Sequence, residues 1–276
     1  MRILVTGGAG FIGSAVRRHL DTIEWEMVSF DAPYDVCNPR DVYDAVSGVD
    51  GVIHLAGILG TEETIDAAGQ LVNVNIGGAL NVLDACEHHR VPMVQIGTGH
   101  RGQLNTYAIT KACAEDLALM RARFRGAQVN IVRAFHAYGP GQKAPKPYGE
   151  ATVRKIIPAF LCAALSGDPL VVNGTGLQTI DLVHVDDVAR ALVEALDGPY
   201  GQVIEAGTGD PVSVLQAARD VIEAVFSDSS IEFQEMRDGE PYISQVHATE
   251  GLPYARRWPD GLDETTIDYY RQVVRR

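Results

Sequence analysis

The chain reads Val5-Thr-Gly-Gly-Ala-Gly-Phe-Ile-Gly13 close to its first residues, and this stretch decides the fold. The short apolar run Arg2–Thr6 before the glycines is typical of a buried parallel strand, and residues 11–20 after them have helical spacing. The glycines therefore fall in a strand-to-helix turn. Such a turn lets the backbone approach a pyrophosphate at the positive end of the helix. The stretch predicts a dinucleotide site.

An acidic residue ends the next strand-like segment. Asp31 comes directly after residues 27–30, at the spacing of roughly 20 residues that dinucleotide sites show. A carboxylate at this place accepts the hydroxyls of the adenine ribose, whereas a 2′-phosphate would meet a like charge. The sequence therefore predicts NAD rather than NADP.

Length, composition and charge restrict the class of protein. With 276 residues and 46% hydrophobic content, the chain can bury a sizeable core. No apolar run approaches the roughly 20 residues that span a bilayer. The net charge of −13 disfavours broad contact with nucleic acid or anionic membrane. The first strand starts at residue 2, so we expect a cytoplasmic protein.

Four cysteines are scattered without metal-site spacing, and we interpret them as packing residues. No metal site is predicted. Histidines 54 and 184 are expected to satisfy local backbone or packing needs. Asp186 and Asp187 are expected to cap a helix rather than to bind a metal.

Strand-like and helix-like segments alternate through the first half of the chain, which predicts an α/β fold with a doubly wound parallel sheet. The stretch between Asp31 and the helix expected near Pro39 is short, so the usual third strand is predicted to be cut short. The predicted strands are Arg2–Thr6 and residues 27–30, 51–55, 92–96 and 129–133; the predicted helices are residues 70–88, 106–123, 151–166, 186–196, 212–226 and 263–274.

The composition changes after residues 138–142, where a loop-like stretch with several prolines and glycines follows. We therefore expect two domains. The cofactor-binding domain is predicted to comprise residues 1–138 and about 182–200. A smaller carboxy-terminal α/β substrate lobe is predicted for residues 139–181 and 201–276.

Tyr107 and Lys111 lie four residues apart on one face of a predicted helix. A cation so placed lowers the pKa of the phenol from about 10 towards neutrality, which makes tyrosine a usable general acid or base. The pair follows the predicted strand at residues 92–96, and ligands of open α/β sheets bind beyond the carboxyl ends of the strands. Thr98, at that end, is placed to share a hydrogen bond with a substrate hydroxyl that Tyr107 deprotonates.

Further short motifs accompany the glycine stretch and the Tyr107 and Lys111 pair. They are Asp35-Val36, His54-Leu-Ala-Gly57, Asn75-Ile-Gly-Gly-Ala-Leu-Asn81, residues 133–142, Gly174-Thr-Gly-Leu-Gln178 and His184-Val-Asp-Asp187. Together they resemble the motifs of the extended short-chain dehydrogenase/reductase family, in particular its nucleotide-sugar epimerases and dehydratases. The resemblance covers nearly the whole chain.

This resemblance implies a Rossmann domain, NAD as cofactor and Thr98, Tyr107 and Lys111 as the catalytic set. It also implies a homodimer joined by the helices near residues 70–88 and 106–123. The cofactor-binding residues that it implies are Gly7, Gly10, Phe11, Ile12, Gly13, Asp31, Asp35, Val36, Leu55, Ala56, Gly57, Asn75, Tyr107 and Lys111.

The chain departs from the family pattern where the nucleotide is held. Ile180 and His136 stand in place of the arginine and asparagine that the family usually carries there. Arg237-Asp-Gly-Glu240, by contrast, resembles the second phosphate-binding arginine motif of the family. The substrate-binding residues expected in this chain are His100, His136, Lys155 and Arg237.

The segment after Thr98 also departs from the pattern. Gly99 and His100 stand where the dehydratases carry an Asp-Glu pair, so a 4,6-dehydratase is not expected. Only eight residues separate Thr98 from Tyr107, where the family has a longer loop, so one wall of the substrate pocket is expected to be different or more open.

The activity that the resemblance implies is NAD-dependent epimerisation at C4 of a nucleotide sugar through a 4-keto intermediate. A one-way reductase of a 4-keto nucleotide sugar is the alternative enzyme, since the shortened stretch between Asp31 and Pro39 resembles that branch. A NAD-binding regulator without turnover is a third interpretation. Retention of Thr98, Tyr107 and Lys111 argues against it, because a cofactor sensor needs no proton-transfer pair.

Overall fold

The computed structural model describes residues 1–240 and 247–273 and divides into two compact units. Unit 1 comprises Met1–Ala134 and Val188–Ala206, and unit 2 comprises Phe135–Asp187 and Gly207–Arg276. These limits differ by a few residues from the expected domain limits of 138 and about 182–200. The difference arises because two strand pairs, described below, place residues 136–138 and 182–184 in unit 2 and residues 203–206 in unit 1.

The regular elements follow one another in this order. The strands are β1 (Arg2–Thr6), β2 (Glu26–Phe30), β3 (Gly51–His54), β4 (Met93–Thr98), β5 (Val129–Ala134), β6 (His136–Tyr138), β7 (Leu170–Asn173), β8 (Thr179–Ile180), β9 (Leu182–His184), β10 (Val203–Ala206), β11 (Val212–Ser213) and β12 (Ile231–Gln234). The helices are α1 (Phe11–Thr22), α2 (Pro39–Val46), α3 (Ala68–Leu71), α4 (Ala79–His89), α5 (Thr106–Arg125), α6 (Ile156–Ser166), α7 (Val185–Glu194), α8 (Val214–Ala224) and α9 (Leu262–Val273), with a 3₁₀ turn at Glu62–Ala67 and a π-helical segment at Val72–Gly78.

Unit 1 is built on a parallel sheet in the order β10-β5-β4-β3-β1-β2. Every residue of β3 and β4 is buried, as expected for strands whose sheet is covered on both faces. The order of strands reverses between β1 and β3, and such a switch point is where ligands of open α/β sheets bind. The prediction of a doubly wound parallel sheet is confirmed.

On one side the described sheet ends at β2, without the usual further strand, as the sequence predicted. Among the described residues no strand pairs with the outer edge of β2, because the chain passes quickly from Phe30 into α2. At the opposite edge, β10 pairs in parallel with β5, with Val203 opposite Ile131. The sequence had assigned no strand of this sheet beyond the first half of the chain.

Three helical expectations need correction. The helix predicted at residues 70–88 contains the π-helical segment Val72–Gly78, which passes close to the loop after β2: a Cβ on Gly78 would lie 2.7 Å from the Val36 side chain. Helix α7 begins at Val185, so Asp186 lies inside its first turn and does not cap it. Helix α6 begins at Ile156 rather than near residue 151.

In its described residues, unit 2 contains three small strand pairs, and its helices pack around an apolar core. Strand β6 pairs with β9 and β7 with β12, both in parallel, and β8 pairs with β11 in antiparallel orientation. Fully buried Tyr138, Leu161, Leu182 and Tyr269 belong to its core. Among the described residues, no helix is long and apolar enough to cross a membrane.

The cysteines fulfil only part of their predicted role. Cys86 and Cys162 are buried in the cores of units 1 and 2, as packing residues should be. Cys113 is exposed on α5, where the side chain faces solvent instead of the sheet. The packing interpretation is therefore wrong for Cys113.

Candidate active site

The glycine turn between β1 and α1 leaves room for a ligand because its residues lack side chains. Gly7 has a φ of +72°, which favours glycine, and a Cβ there would lie 2.9 Å from the backbone N of Ala56. A Cβ on Gly13 would lie 2.5 Å from the carbonyl oxygen of Gly7. Helix α1 begins at Phe11 without a side-chain cap. The turn fits a pyrophosphate, whose oxygens accept from N–H groups at the positive end of a helix.

Asp31 is held against this turn. The carboxylate accepts the backbone N–H of Ala9 at 3.1 and 3.2 Å and the hydroxyl of Ser29 at 2.6 Å. These contacts fix an acceptor beside the glycines at the carboxyl end of β2. The residues present therefore fit the ribose end of a dinucleotide, and the ribose contact of Asp31 stays a prediction.

Asp35 and Val36 lie in the loop after β2. Asp35 lines an open groove together with Cys37, Asn73 and Asn81, and its carboxylate accepts the N–H of Cys37 at 2.9 Å. Val36 is buried, and its carbonyl accepts the side-chain amide of Asn81 at 2.9 Å. Asp35 is thus open to a ligand, whereas the side chain of Val36 packs inward.

The end of β3 is tied to β1 through a hydroxyl. Thr6 Oγ1 makes a hydrogen bond of 2.8 Å with His54 Nδ1 and accepts the N–H groups of Leu55 and Ala56, both at 3.2 Å. Burial, with the charge of Lys111 as the smaller cause, lowers the pKa of His54 to about 3. His54 is therefore neutral and serves local packing, as expected.

Asn75 supports the loop after β3. Asn75 Oδ1 accepts the N–H of Ile58 at 2.8 Å, and Nδ2 donates to the carbonyl of Ile58 at 3.0 Å and to the hydroxyl of Thr110 at 3.2 Å. A Cβ on Gly57 would lie 3.0 Å from Asn75 Oδ1. With its amide buried and engaged by the protein, Asn75 positions the Gly57 segment rather than offering a free group to a cofactor.

The predicted catalytic side chains meet at the carboxyl end of β4. Asn105 caps α5, its side-chain oxygen accepting a first-turn N–H at 2.8 Å, so that Tyr107 stands at the start of the helix and Lys111 one turn later. Tyr107 makes a hydrogen bond with the hydroxyl of Thr98. Thr98 Oγ1 also accepts the backbone N–H of His100 at 3.2 Å. The two hydroxyls thus lie together, and their role in proton transfer stays a prediction.

The protonation of this set is governed by burial. Burial raises the pKa of Tyr107 to about 12, while the hydrogen bond with Thr98 acts in the opposite direction. Burial likewise lowers the pKa of Lys111 to about 8, against the opposing effect of the Glu115 carboxylate. The expectation that Lys111 brings the pKa of Tyr107 towards neutrality is wrong for this structure, because burial disfavours the charged forms of both groups.

Sequence reasoning missed the charged residues behind this set. Glu115 is fully buried and accepts hydrogen bonds from Arg101 at 2.6 Å and from Arg133 at 3.1 Å. The spacing of Glu115, four residues after Lys111 on the same helix face, was the signal that could have found it. The two arginines come from separate segments, so no local pattern predicts their meeting.

Unit 2 contains a pocket that collects positive charge. Arg154, Lys155 and Arg237 line it with Asn173 and Gln178. Arg237 is also paired with Glu240, with 3.4 Å between Arg237 Nη1 and Glu240 Oε1. In a chain of net charge −13 this concentration of cations favours an anionic ligand. The structure brings Lys155 and Arg237 together, and it adds Arg154, which the sequence had not singled out.

The other substrate-binding candidates are not among the residues that line this pocket. His136 begins β6 in unit 2, and its backbone N–H donates to the carbonyl of Asp181 at 3.0 Å. His100 belongs to unit 1, in the turn after β4. Ile180 is buried in the unit 2 core, so its position supplies packing and no positive charge.

An ion-pair cluster surrounds the start of α7. His184, Asp186 and Glu264 bring potential ligand atoms within 4.8 Å of one another. Arg256 donates to Glu264 at 2.7 Å and to Asp186 at 3.4 Å, and its backbone N–H donates to Asp187 at 2.8 Å. The guanidinium thus supplies the positive charge of the cluster. His184 Nδ1 accepts the N–H of Asp186 at 3.2 Å and so takes the capping role predicted for the aspartate.

A family model described as the NAD dependent epimerase/dehydratase family matches residues 3–207. Among curated relatives, a UDP-N-acetyl-alpha-D-glucosaminuronate decarboxylase of Bacillus cytotoxicus is 28% identical, with 99% of this chain and 98% of the relative aligned. The low-salt glycan biosynthesis protein Agl12 of Haloferax volcanii is 30% identical, with 98% of each chain aligned.

A solved structure supports the same fold. The UDP-glucose 4-epimerase of Thermotoga maritima, crystallised with UDP-glucose, superposes with a TM-score of 0.87 at 24% identity. The match covers 98% of this chain and 99% of that protein. At this identity the likeness shows the shared fold rather than a shared reaction.

Proposed function

Because the chain belongs to the NAD-dependent epimerase/dehydratase family, we propose that it is a nucleotide-sugar 4-epimerase that acts through a transient 4-keto intermediate. NAD is the cofactor of this family, and when bound it would supply the hydride acceptor and donor for C4. The observation that carries the proposal is the hydrogen bond between Tyr107 and Thr98, one helical turn from the buried Lys111.

In this proposal Tyr107 moves the proton of the C4 hydroxyl. Thr98, held by the backbone N–H of His100, directs its hydroxyl to the same oxygen. The phenol of Tyr107 keeps its proton at neutral pH in the resting chain. Tyr107 can therefore act as a base only if a nearby positive charge stabilises its phenolate form. Lys111 provides that charge while it is protonated, and its side chain is also proposed to hold the nicotinamide ribose.

Unit 1 is proposed as the NAD-binding domain and unit 2 as the substrate lobe. The uncapped start of α1 would receive the pyrophosphate, and Asp31 the adenine ribose. Asp35 would face the adenine from its groove, with Asn75 supporting the neighbouring loop. The cofactor-lining residues of the proposal are Gly7, Gly10, Phe11, Ile12, Gly13, Asp31, Asp35, Val36, Leu55, Ala56, Gly57, Tyr107 and Lys111.

The pocket of unit 2 is proposed to hold the diphosphate of the nucleotide. Arg237 can present paired N–H donors to phosphate oxygens, and Arg154 and Lys155 add charge to the same pocket. This set compensates for Ile180, which is buried and apolar. His100 and His136 remain proposed contacts of the sugar.

A 4-epimerase is favoured over a dehydratase because the segment after Thr98 has no acid-base pair. Water elimination needs a second proton donor and acceptor near the sugar, and residues 99 and 100 are glycine and histidine. Glu115, the nearest buried carboxylate of α5, is occupied by two arginines.

A 4-keto nucleotide-sugar reductase is the second candidate. The observation that favours it is the short connection from β2 to α2, which omits the strand usually found there. A regulator that binds NAD without turnover is disfavoured by the intact contact between Tyr107 and Thr98.

The test is incubation of the protein with NAD and a panel of UDP-, dTDP-, GDP- and CDP-sugars, followed by proton NMR of the sugars. An epimerase interconverts two C4 configurations without net consumption of NAD. Loss of water, loss of carbon dioxide, or reduction of a 4-keto sugar at the expense of NADH would each replace this proposal by another reaction. Tyr107→Phe is the control for turnover by a contaminating enzyme.

A homodimer is proposed through α5. Its exposed apolar residues Ile109, Cys113, Met120 and Phe124 follow one another at helical spacing on one face, with the exposed Asp116 between Cys113 and Met120. We expect Phe124→Glu to yield monomers in light scattering after size exclusion. Phe226→Glu, at an exposed position of unit 2, is the control and should leave the mass unchanged. A wild-type monomer would refute the dimer.

A further inference from the structure

Behind the proposed catalytic pair, one buried carboxylate binds arginines from two segments. Glu115 lies one turn after Lys111 on α5 and has no exposed surface. It accepts from Arg101 Nη1 at 2.6 Å and from Arg133 Nε at 3.1 and 3.2 Å. A buried carboxylate without such partners is costly, and the two guanidinium groups offset the burial of Glu115.

Arg101 connects this carboxylate to the shortened segment between β4 and α5. Its second terminal nitrogen donates to Asp116 at 2.7 and 2.8 Å, so the guanidinium bridges two adjacent carboxylates of the helix. The segment that Arg101 belongs to also contains His100, which donates to Thr98, and Asn105, which caps α5. Arg101 thereby fastens the short segment to the helix that carries Tyr107.

Glu115 also lies beneath the end of β4. A Cβ on Gly97 would be 3.0 Å from Glu115 Oε2, so the strand approaches the carboxylate just before Thr98. The titratable groups that interact with Lys111 are Glu115 on its own helix and His54 on β3, and Arg101 and Arg133 lie against Glu115. His54 and Tyr107 are neutral near pH 7, which leaves Glu115 as the negative charge that opposes the burial of Lys111.

We propose that Glu115 is a positioning residue that keeps Lys111 in its ammonium form and, through Arg101, fixes the segment between Thr98 and Tyr107. The inference rests on the proposed roles of Tyr107 and Lys111. It assigns a fixed geometry to the shortened segment. It also makes the charge of the lysine depend on a residue that touches neither substrate nor cofactor.

The test measures the titration of Lys111 directly. The chain contains four lysines, so ¹³Cε-lysine NMR gives few resonances, and Lys111→Arg identifies the one of interest. In the wild type we expect a midpoint near pH 8, set by burial and Glu115. Glu115→Gln keeps the size of the side chain but removes the charge, and should lower the midpoint by about one pH unit. The midpoint falls because the ammonium loses the charge that favours it.

Asp116→Asn is the matched control. It removes a neighbouring carboxylate that is largely exposed, whose charge solvent screens, and should leave the Lys111 midpoint within about 0.3 unit. If Glu115→Gln does not fold, the double variant Arg101→Gln/Glu115→Gln is compared with Arg101→Gln alone. In that pair of proteins only Arg133 loses its carboxylate partner. An unchanged Lys111 midpoint in the folded charge variant overturns the inference.

The second arm concerns the segment. Arg101→Gln should speed amide hydrogen exchange in residues 99–105 at least tenfold, without lowering the Lys111 midpoint. Unchanged exchange would show that Arg101 does not fix the segment and would overturn that part of the inference. Neither measurement needs a substrate or turnover. Failure of every nucleotide sugar to react would therefore refute the proposed function and leave these two results to decide the inference.

Discussion

Replacing Gly13 by alanine tests whether the glycine turn must pack without side chains. A Cβ at this position would lie 2.5 Å from the carbonyl oxygen of Gly7 and 2.6 Å from Cα and O of Gly8. These are backbone atoms, so no side-chain rotation relieves the contact. Restoring an ordinary separation of about 3.5 Å requires the turn and α1 to separate by roughly 1 Å.

The free energy of that displacement can be compared with the cost of substitutions that enlarge a side chain in a packed protein interior. Forcing one additional carbon into a well-packed site costs about 1–3 kcal/mol. If the shift occurs only when NAD closes the turn around its pyrophosphate, NAD affinity falls by about 5- to 150-fold. If the shift is already present in the free protein, part of the cost appears as lower thermal stability.

The assay combines calorimetric titration with NAD and thermal unfolding of the free protein. Gly69→Ala is the matched control, because a Cβ there meets nothing within 4 Å and the residue lies in helix α3. We expect the control to bind NAD normally and to be slightly more stable, since alanine favours helices. Gly13→Ala with unchanged NAD affinity and unchanged unfolding temperature would refute the argument that α1 packs tightly on the turn.

Three further outcomes are expected. NAD should bind more tightly than NADP in parallel titrations, because Asp31 accepts ribose hydroxyls and repels a 2′-phosphate; equal affinity would remove Asp31 from the ribose site. Tyr107→Phe should lower turnover about 10²- to 10⁴-fold with little change in NAD affinity, measured by NMR turnover and titration, and retained turnover would refute its role as acid and base. Arg237→Ala should raise KM about 10- to 100-fold with a smaller effect on kcat, and Arg237→Lys should recover part of the loss; an unchanged KM for every active nucleotide sugar would place the diphosphate elsewhere.

Much of unit 1 could be predicted because its signals are local. The run Arg2–Thr6 coincides with β1, and the helix that carries Tyr107 begins at Thr106 as its spacing predicted. Local chemistry sets these features: apolar runs form buried strands, Asn105 caps a helix, and Gly126 in left-handed conformation ends it. Strand β10 escaped prediction because its membership of the sheet depends on pairing with the distant β5.

The electrostatics of the candidate site could not be read from spacing. The distance of four residues between Tyr107 and Lys111 suggested a phenol whose pKa is lowered, yet burial raises the pKa of Tyr107 to about 12. Burial depends on how α5 packs against β4 and β5, which no local pattern contains. The hydrogen bonds of the Asn75 amide with Ile58 and Thr110 likewise depend on the folded structure and could not be predicted from spacing.

The sequence by itself determined the strands β1 to β5, the glycine turn and the identity of the proposed catalytic residues, because these follow from neighbours within a few positions. Only the tertiary structure decided which charges meet. Glu115 accepts hydrogen bonds from Arg101 of a loop and from Arg133 of a strand. Arg154 and Lys155 line the same pocket as Arg237. Such meetings join residues far apart in the chain, and their energies depend on burial, which exists only once the chain has folded.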